Sequence, residues 1–193
     1  ITSNDISSAA KYLAKFAKLM RQSLDYSDME IISLEKEIEF LEDYLYINEK
    51  LRFEGRLKYE IIIDDEIEED ILGVPTMIVQ PYVENAIEHG LRIKKNGVVK
   101  VEFTLFDEDT ILCIVEDNGI GREKARQIRM QDPQFQNHRS KGTNITEKRL
   151  QILHNAKDTE VFVNTIDLKN SRTKEPRGTR VEIKIPIVEI QIK

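Results

Sequence analysis

Two short stretches constrain this chain more than any others. QPYVENAIEHG, Gln80–Gly90, places an asparagine on an apolar helix, and EDNGIG, Glu116–Gly121, places an aspartate and two glycines at the end of an apolar strand. An amide oxygen on a helix can ligate a metal held by phosphate, since Mg²⁺ prefers oxygen ligands. Glycine lets the backbone approach a ligand closely. The two stretches together predict a phosphate-compound site between a helix and a strand.

Composition limits the classes of protein that fit. The chain has 193 residues, a net charge of −6 and one cysteine, Cys113. This length suits one compact domain with an appendage, or two small domains. The acidic charge argues against direct nucleic-acid binding, which favours basic surfaces. A single cysteine excludes a disulfide framework, and its apolar surroundings predict a buried thiol. No apolar stretch approaches the ~20 residues that span a bilayer.

Apolar residues at three- and four-residue steps predict two amphipathic helices, residues 6–26 and 33–53. The stripe of the first comprises Ile6, Ala9, Leu13, Phe16, Met20 and Leu24, and that of the second comprises Leu34, Ile38, Leu41, Leu45 and Leu51. Ser33 suits the N-cap of the second helix. A short link favours an antiparallel pair. Such a pair cannot bury both apolar stripes by itself, so we expect it to pack on the next domain or on a second chain. We predict a helical segment over residues 1–54 and a second domain over residues 55–193.

The second domain alternates between strand and helix patterns. Pro75 is expected in the first turn of a helix, and Pro81 is expected to restart it at Tyr82. Residues 130–143 have no apolar period and predict a loop, and we expect a polar hairpin around Pro176–Gly178. Strands are predicted at 57–64, 98–106, 111–116, 160–167 and 179–188, and helices at 82–89, 122–129 and 145–155. The fold class is therefore α/β, a two-layer sandwich: a mixed, mostly antiparallel sheet with helices on one face, preceded by a helical pair.

Four stretches carry the chemistry. Asn85 is the candidate metal ligand. Asp117 can accept the exocyclic amine proton of adenine, although Asp-Asn-Gly is also a strong turn sequence. In SKGT, residues 140–143, Gly142 opens a helix whose free N–H groups suit phosphate, and Lys141 adds charge. Thr179 begins a strand and could bond Asp117. Each stretch alone is weak, whereas their joint occurrence in this order is specific.

This order resembles the N, G1, G2 and G3 boxes of the histidine-kinase ATP-binding domain, in the superfamily of gyrase B, Hsp90 and MutL. LEKEIEFLEDYLYINEKLRFEGRL, with Glu49, Arg52 and Phe53 in an E-x-x-RF motif, and VPTMIVQPYVENAIEHGL resemble the LytS/YehU-type sensor kinases. The resemblance covers nearly the whole chain and implies a Bergerat-type fold that binds ATP and Mg²⁺, with Asn85 at the metal. It implies nucleotide contacts from Asn85, Glu84, His89, Asp117, Gly119, Gly121, Lys141, Gly142, Thr143 and Thr179.

Two positions depart from the family pattern. SKGT keeps one glycine where the family has a Gly-x-Gly-Leu run, and Glu88 stands where many histidine kinases carry a lysine. Hydrolytic members of the superfamily have a water-activating glutamate at the position of Pro81, so this chain favours phosphoryl transfer over hydrolysis. An ATP-driven clamp, and a non-enzymatic dimer scaffold with a degenerate nucleotide site, stay open as alternatives.

The resemblance also implies an acceptor histidine and partners. None of His89, His138 and His154 lies on the N-terminal helices, and the family acceptor precedes a segment like residues 1–26. We therefore expect a catalytic fragment that cannot phosphorylate itself, with residues 122–143 as its ATP lid. The expected partners are a second copy in a homodimer and a response regulator, for example one with a LytTR-type DNA-binding domain. The expected location is the cytoplasmic part of an inner-membrane sensor, with membrane contact only through upstream segments.

Overall fold

The computed structural model describes residues 3–131 and 163–190. The helices are α1 (Ser3–Ser27), α2 (Leu34–Ile47), α3 (Gln80–Asn85) and α4 (Arg122–Gln131). The strands are β1 (Ile31–Ser33), β2 (Leu57–Ile63), β3 (Leu72–Pro75), β4 (Gly97–Asp107), β5 (Thr110–Asp117), β6 (Val163–Lys169), β7 (Pro176–Pro186) and β8 (Val188–Glu189). Two π-helical turns, Asn48–Arg52 and Ala86–Gly90, continue α2 and α3 respectively.

A five-stranded sheet forms one layer, in the order β2-β4-β5-β7-β6. β2 runs parallel to β4, and the other neighbouring strands are antiparallel. The predicted mixed, mostly antiparallel sheet is therefore confirmed. The β5–β7 register sets Asp117 opposite Thr179, and the β6–β7 register sets Asp167 opposite Thr179 as well. These three residues consequently lie on one face of the sheet.

Helices cover one face of this sheet, as the two-layer prediction requires. Phe103 and Cys113 from the sheet are fully buried in one core with Leu41 and Leu45 from α2 and Ile87 from the second π turn. Burial raises the pKa of the Cys113 thiol well above its usual range. Charged residues of the opposite face, such as Lys100, Glu102 and Glu116, are partly exposed. The sheet thus has one apolar and one solvated side.

The two predicted N-terminal helices are present. Ser33 caps α2, since its hydroxyl accepts a hydrogen bond from the Lys36 N–H at 3.3 Å. α1 packs on α2 through buried Leu19 and through the rings of Tyr26 and Phe40, whose centroids are 6.5 Å apart. Four large side chains of the apolar stripe predicted for the first helix, which we call the α1 stripe, are exposed: Leu13, Phe16, Met20 and Leu24. Within this single chain, α1 therefore buries another face, and the expected packing of its stripe on a second chain stays a prediction.

A second sheet, β1-β3-β8, was not predicted. Its strands have three, four and two residues, too few for an alternating pattern to be recognised. β1 pairs with β3 antiparallel, with Ile31 opposite Pro75. The helical segment thereby contributes a strand to a sheet that includes β3 and β8. The domain boundary at residues 54 and 55 stays a prediction.

Several local predictions were wrong. Pro75 ends a strand rather than beginning a helix, a position where its missing N–H costs little. α3 begins at Gln80, so Pro81 lies in its first turn, where no intrahelical N–H bond is lost. Pro176–Gly178 belong to β7, and the turn before it spans Asn170–Glu175, closed by the Asn170 N–H to the Glu175 carbonyl at 2.8 Å. Leu51, assigned to the apolar stripe of the second helix, is 54% exposed.

Other predictions fall on the undescribed part of the chain. Met130 and Gln131 belong to α4 rather than to a loop. The rest of the predicted loop and lid, the helix at 145–155 and the first residues of the strand at 160–167 lie outside the described residues. No helix within residues 3–131 and 163–190 combines the length and the apolar character that a membrane crossing requires.

Candidate functional site

A cavity of about 440 Å³ opens between α3, α4 and the β5-β7-β6 side of the sheet. This volume lies within the range of small-molecule sites. Its lining residues are Tyr82, Asn85, Ala86, His89, Gly90, Val115, Asp117, Gly121, Arg122, Ala125, Arg126, Val163, Thr165, Thr179 and Val181. Five of the residues proposed from sequence line the cavity: Asn85, His89, Asp117, Gly121 and Thr179. The structure thus brings three of the four sequence stretches together.

Asp117 is a buried carboxylate at the end of β5, only 6% exposed. Burial raises its pKa to about 6, while hydrogen bonds from the Gly119 backbone and from the Thr179 backbone and hydroxyl oppose the rise. The Gly119 N–H donates to Oδ1 at 2.7 Å. The carboxylate is therefore largely ionised at neutral pH, and it lies beside the apolar side chains of Val115 and Val181 in the cavity wall. Such a group can orient a donor on a flat, apolar ligand.

Glycines join the two motifs backbone to backbone. The Ile120 N–H donates to the Gly90 carbonyl at 3.0 Å. A Cβ on Gly119 would lie 2.3 Å from the Gly90 oxygen, and one on Gly90 would lie 2.8 Å from Asp117 Oδ1. Gly178 has φ 138°, and a Cβ there would lie 1.7 Å from the Asp117 carbonyl oxygen. The backbone atoms that face Gly119 and Gly178 leave no room for a side chain, so the second π turn and the end of the Asp117 strand meet through glycine.

Asn85 lines the cavity at the end of α3. In the part of the chain that the structure describes, no group of three or more His, Cys, Asp or Glu side chains is placed to hold a metal. The Asn85 amide offers one oxygen, and this fits Mg²⁺, which takes oxygen ligands and keeps waters and phosphate oxygens in its shell. The neighbouring Glu84 does not line the cavity; its carboxylate accepts from Gln80 Nε2 at 2.6 Å, and burial raises its pKa.

Sequence reasoning missed two arginines of α4. Arg122 and Arg126 both line the cavity. The Arg122 guanidinium donates to both carboxylate oxygens of Asp167 on β6, each at 2.8 Å. Arg126 is exposed. Their spacing of four residues directly after Gly121 puts both on one helical face, a signal that the sequence contains. The site thus has cations that can compensate phosphate charge.

The departure at Glu88 also has a structural partner. Arg52 Nη2 lies 2.9 Å from Glu88 Oε2, and Nη1 pairs with Oε1. The bidentate pair compensates the negative charge of Glu88. Lys141, Gly142 and Thr143, the third predicted stretch, lie outside the described residues, and their nucleotide contacts remain a prediction. The same holds for direct ligand contacts of Glu84 and Gly119.

Two family models match the chain. One described as histidine kinase matches residues 1–57, and one described as histidine kinase-, DNA gyrase B-, and HSP90-like ATPase matches residues 73–189. The uncharacterised protein YwpD of Bacillus subtilis is 32% identical over 152 residues, 78% of this chain and 52% of that protein. Sensor protein LytS of Oceanobacillus iheyensis is 29% identical over 170 residues, 84% of this chain and 28% of that protein. The chain thus spans about half of one relative and less of the other.

Solved structures share the fold. The histidine kinase domain of a blue-light activated histidine kinase from Erythrobacter litoralis superposes with a TM-score of 0.54 at 19% identity, covering 91% of this chain and 74% of that one. The mycobacterial sensor histidine kinase MprB superposes with a TM-score of 0.52 at 15% identity, covering 83% of this chain and 99% of that one. At these identities, the likeness extends to the fold alone.

Proposed function

This chain belongs to the family of histidine kinase-, DNA gyrase B- and HSP90-like ATPases, and we propose that it is the ATP-binding catalytic part of a LytS-type sensor histidine kinase. The observation that carries the proposal is the buried Asp117 carboxylate in a cavity of about 440 Å³ that Asn85 also lines. ATP is the substrate. Its γ-phosphate passes to a histidine nitrogen outside these 193 residues, and ADP leaves.

Asp117 selects adenine. Its ionised carboxylate would accept the exocyclic amine proton, and the apolar side chains of Ala86, Val115 and Val181, which line the same cavity, would pack against the ring. Guanine presents a carbonyl oxygen at the same position, which a carboxylate repels. Because the carboxylate is buried, an unsatisfied acceptor or a repelled oxygen costs more there than at a surface.

Asn85 and Arg126, which line the same cavity, suit a metal–triphosphate group. The Asn85 amide would supply one oxygen to Mg²⁺, and the exposed Arg126, which also lines the cavity, could offset phosphate charge. When bound there, Mg²⁺ would neutralise charge that develops on the phosphate oxygens. The protein's own contribution to phosphoryl transfer is chiefly positioning and charge compensation. Pro81 supplies no water-activating base, which favours transfer to a side chain over an ATP-hydrolysing clamp.

The partners follow from the same proposal. The exposed α1 stripe supports a homodimer, since large apolar side chains clustered on one helix face are typical of interaction surfaces. The phosphate then passes to a response regulator, such as one with a LytTR-type DNA-binding domain, without nucleic-acid contact by this chain. We place the chain on the cytoplasmic side of an inner-membrane sensor protein.

Calorimetry with ATP and GTP tests the nucleotide assignment. Asp117→Asn turns the acceptor into a mixed donor and acceptor, so ATP affinity should fall by ~1.5–3 kcal/mol, the range for a hydrogen bond to a charged group. Glu116→Gln is the matched control, because Glu116 is the preceding residue on the solvated face and should leave ATP affinity unchanged. Equal ATP affinities in wild type and Asp117→Asn, or equal affinities of wild type for ATP and GTP, would reject the assignment.

The acceptor proposal has its own test. The 193-residue chain incubated with radiolabelled Mg·ATP should acquire no stable phosphate and should hydrolyse ATP very slowly. An acid-labile, base-stable phosphate on this chain would show that His89, His138 or His154 is an acceptor. Rapid hydrolysis without any acceptor would instead favour the clamp, and absence of nucleotide binding would favour the scaffold.

A further inference from the structure

Glu37 is a buried acid of the helical segment that hydrogen-bonds the start of the α3 helix. It lies on α2 and is 1% exposed. Its Oε2 accepts from the Met77 N–H at 3.0 Å, and its Oε1 accepts from the Val79 N–H at 3.0 Å. Val79 is the residue immediately before α3. Both oxygens of one carboxylate thus hold the loop from which the helix of Asn85 begins.

Burying a carboxylate costs free energy, which the hydrogen bonds that it accepts must offset. Burial raises the pKa of Glu37 to about 7, and the backbone N–H groups of Val79 and Met77 oppose the rise. Met77 has φ 55°, a left-handed conformation that a non-glycine residue keeps only when its surroundings enforce it. The bond from the Met77 N–H to Glu37 is one such constraint. The acid therefore fixes a strained turn directly before α3.

Neighbouring contacts also join the helical segment to the loop before α3. The Thr76 hydroxyl donates to the Met29 carbonyl at 2.7 Å, and the Thr76 N–H donates to the Glu30 carbonyl at 3.1 Å. At the far end, Arg52 pairs with Glu88 across the two π turns. The stretch 80–90, which carries Asn85, is thus held near both ends by residues of α2 and its π turn. Asp117 is held by Gly119 and Thr179, and it meets the stretch 80–90 at Gly90, the end away from the contacts of Glu37.

We propose that Glu37 is a positioning residue of the nucleotide site: it sets the start of α3 and, through α3, the reach of the Asn85 amide toward metal-bound phosphate. It thereby links the helical segment to the metal end of the site and leaves the adenine end unaffected. This inference rests on the proposed function, because it requires that Asn85 meets a magnesium–nucleotide complex.

The test separates the two ends of the site. The dissociation constant of ATP is measured by calorimetry on the 193-residue chain with MgCl₂ and with EDTA, and their ratio is the magnesium enhancement. Asn85→Ala defines the enhancement that remains without the amide. Glu37→Gln keeps the size of the side chain but presents one N–H donor to a backbone N–H. We expect its enhancement to fall at least threefold toward the Asn85→Ala value, with affinity in EDTA within twofold of wild type.

Asp43→Asn is the matched control. Asp43 is 4% exposed on the same helix, but its carboxylate pairs with Lys15 and Lys18 of α1 rather than with α3. Its variant should lower the melting temperature and leave the magnesium enhancement within twofold. An unchanged enhancement in Glu37→Gln, or an equal loss in both buffers, would overturn the proposal. If Glu37→Gln does not fold, Thr76→Val, which loosens the same loop from Met29, must show the selective loss instead. No ATP binding by wild type in either buffer would overturn the proposed function itself.

Discussion

α1 and α2 have similar amphipathic patterns, yet the structure treats them differently. α2 buries eight of its 14 residues. α1 leaves Leu13 and Leu24 69% exposed, Phe16 48% and Met20 49%. α2 packs directly on the nucleotide-binding layer, whereas α1 contacts α2 through another face. An apolar stripe therefore predicts a helix correctly but does not say which surface will cover it, or whether the same chain provides that surface.

The contacts that hold α1 are largely polar. Lys15 and Lys18 pair with Asp43, and Lys18 pairs with Glu39. Burial alone raises the pKa of Asp43, but the bonds from the two lysines outweigh it and lower the pKa below its usual value. α2 is thus integrated through apolar burial and α1 through ion pairs and a few buried side chains. This difference predicts unequal responses to mutation, concentration, pH and salt.

The largest difference should appear in stability. Leu41→Ala removes a fully buried α2 side chain from the core and should lower the free energy of unfolding by about 2–5 kcal/mol. Leu13→Ala removes an exposed α1 side chain and should change the free energy of unfolding by no more than about 0.5 kcal/mol. Urea unfolding at low protein concentration measures both. Comparable losses would mean that α1 and α2 are equally integrated, and the contrast would be wrong.

Sequence predicted the elements of this pair but not their environments. Periodicity places residues on a helical face, and the cap at Ser33 follows from side-chain chemistry, so both were confirmed. Burial depends on what packs against that face. The short β1-β3-β8 sheet, which joins α2 to the loop before α3, has no sequence pattern long enough to recognise. The contact of Glu37 with Met77 and Val79 could therefore not be predicted from the sequence.

The second effect concerns self-association. If the α1 stripe is a dimer surface, Leu24→Glu should weaken the dimer by at least the ~1.5–3 kcal/mol that burying a leucine contributes, so the dissociation constant should rise roughly 10-fold to 150-fold. Sedimentation equilibrium measures this constant. Leu51→Glu is the control, since Leu51 is comparably exposed but lies on the π turn after α2. Equal effects of the two variants, or a wild-type monomer at every concentration, would remove the dimer proposal.

The third effect separates two buried acids on α2. The folded-state pKa of Glu37 is raised to about 7 from 4.5, so the folded protein binds this proton more tightly than the unfolded chain does. Its stabilising contribution is fully present below pH 4.5 and is lost as the pH rises through about 7. The stability difference between wild type and Glu37→Gln should therefore change by up to ~1.4 kcal/mol per pH unit in this window.

For Asp43→Asn, the stability difference from wild type should depend on pH with the opposite sign. The lowered pKa of Asp43 means that its contribution is present above pH 3.8 and is lost only as the pH falls through its lower folded-state value. Between pH 4.5 and 7 the Asp43→Asn difference should be flat. Tyr26 and Cys113, whose pKa values respond to Glu37, are themselves raised and stay neutral in this window. Parallel pH profiles for the two variants, measured by urea unfolding, would contradict the assignment.

The candidate site was more predictable than the surroundings of α1. Asn85, Asp117 and Thr179 converge on one cavity because their motifs encode local geometry: an asparagine on a helix, an aspartate at a strand end, and a residue that the sheet register places opposite it. Gly119 was predicted to let the backbone approach a ligand; in the structure it closely approaches the Gly90 carbonyl, and its ligand contact stays a prediction. Arg122 and Arg126 were missed because a charged helix after a glycine turn is usually solvated, and only the structure sets them beside the cavity.

The smallest effect tests how α1 is held. Lys18 Nζ lies 2.6 Å from Glu39 Oε1, and the Glu39 side chain is 49% exposed. Exposed ion pairs contribute about 0.2–1 kcal/mol, so Glu39→Gln should lower the free energy of unfolding by that amount at low salt. The difference should vanish near 1 M salt, where charges are screened within about 3 Å. Hydrogen exchange should then accelerate across α1 and not across α2, since α2 is held by apolar burial that salt does not weaken. Equal acceleration in both helices would mean that α1 and α2 open as one unit, and α1 would be part of the nucleotide-binding layer after all.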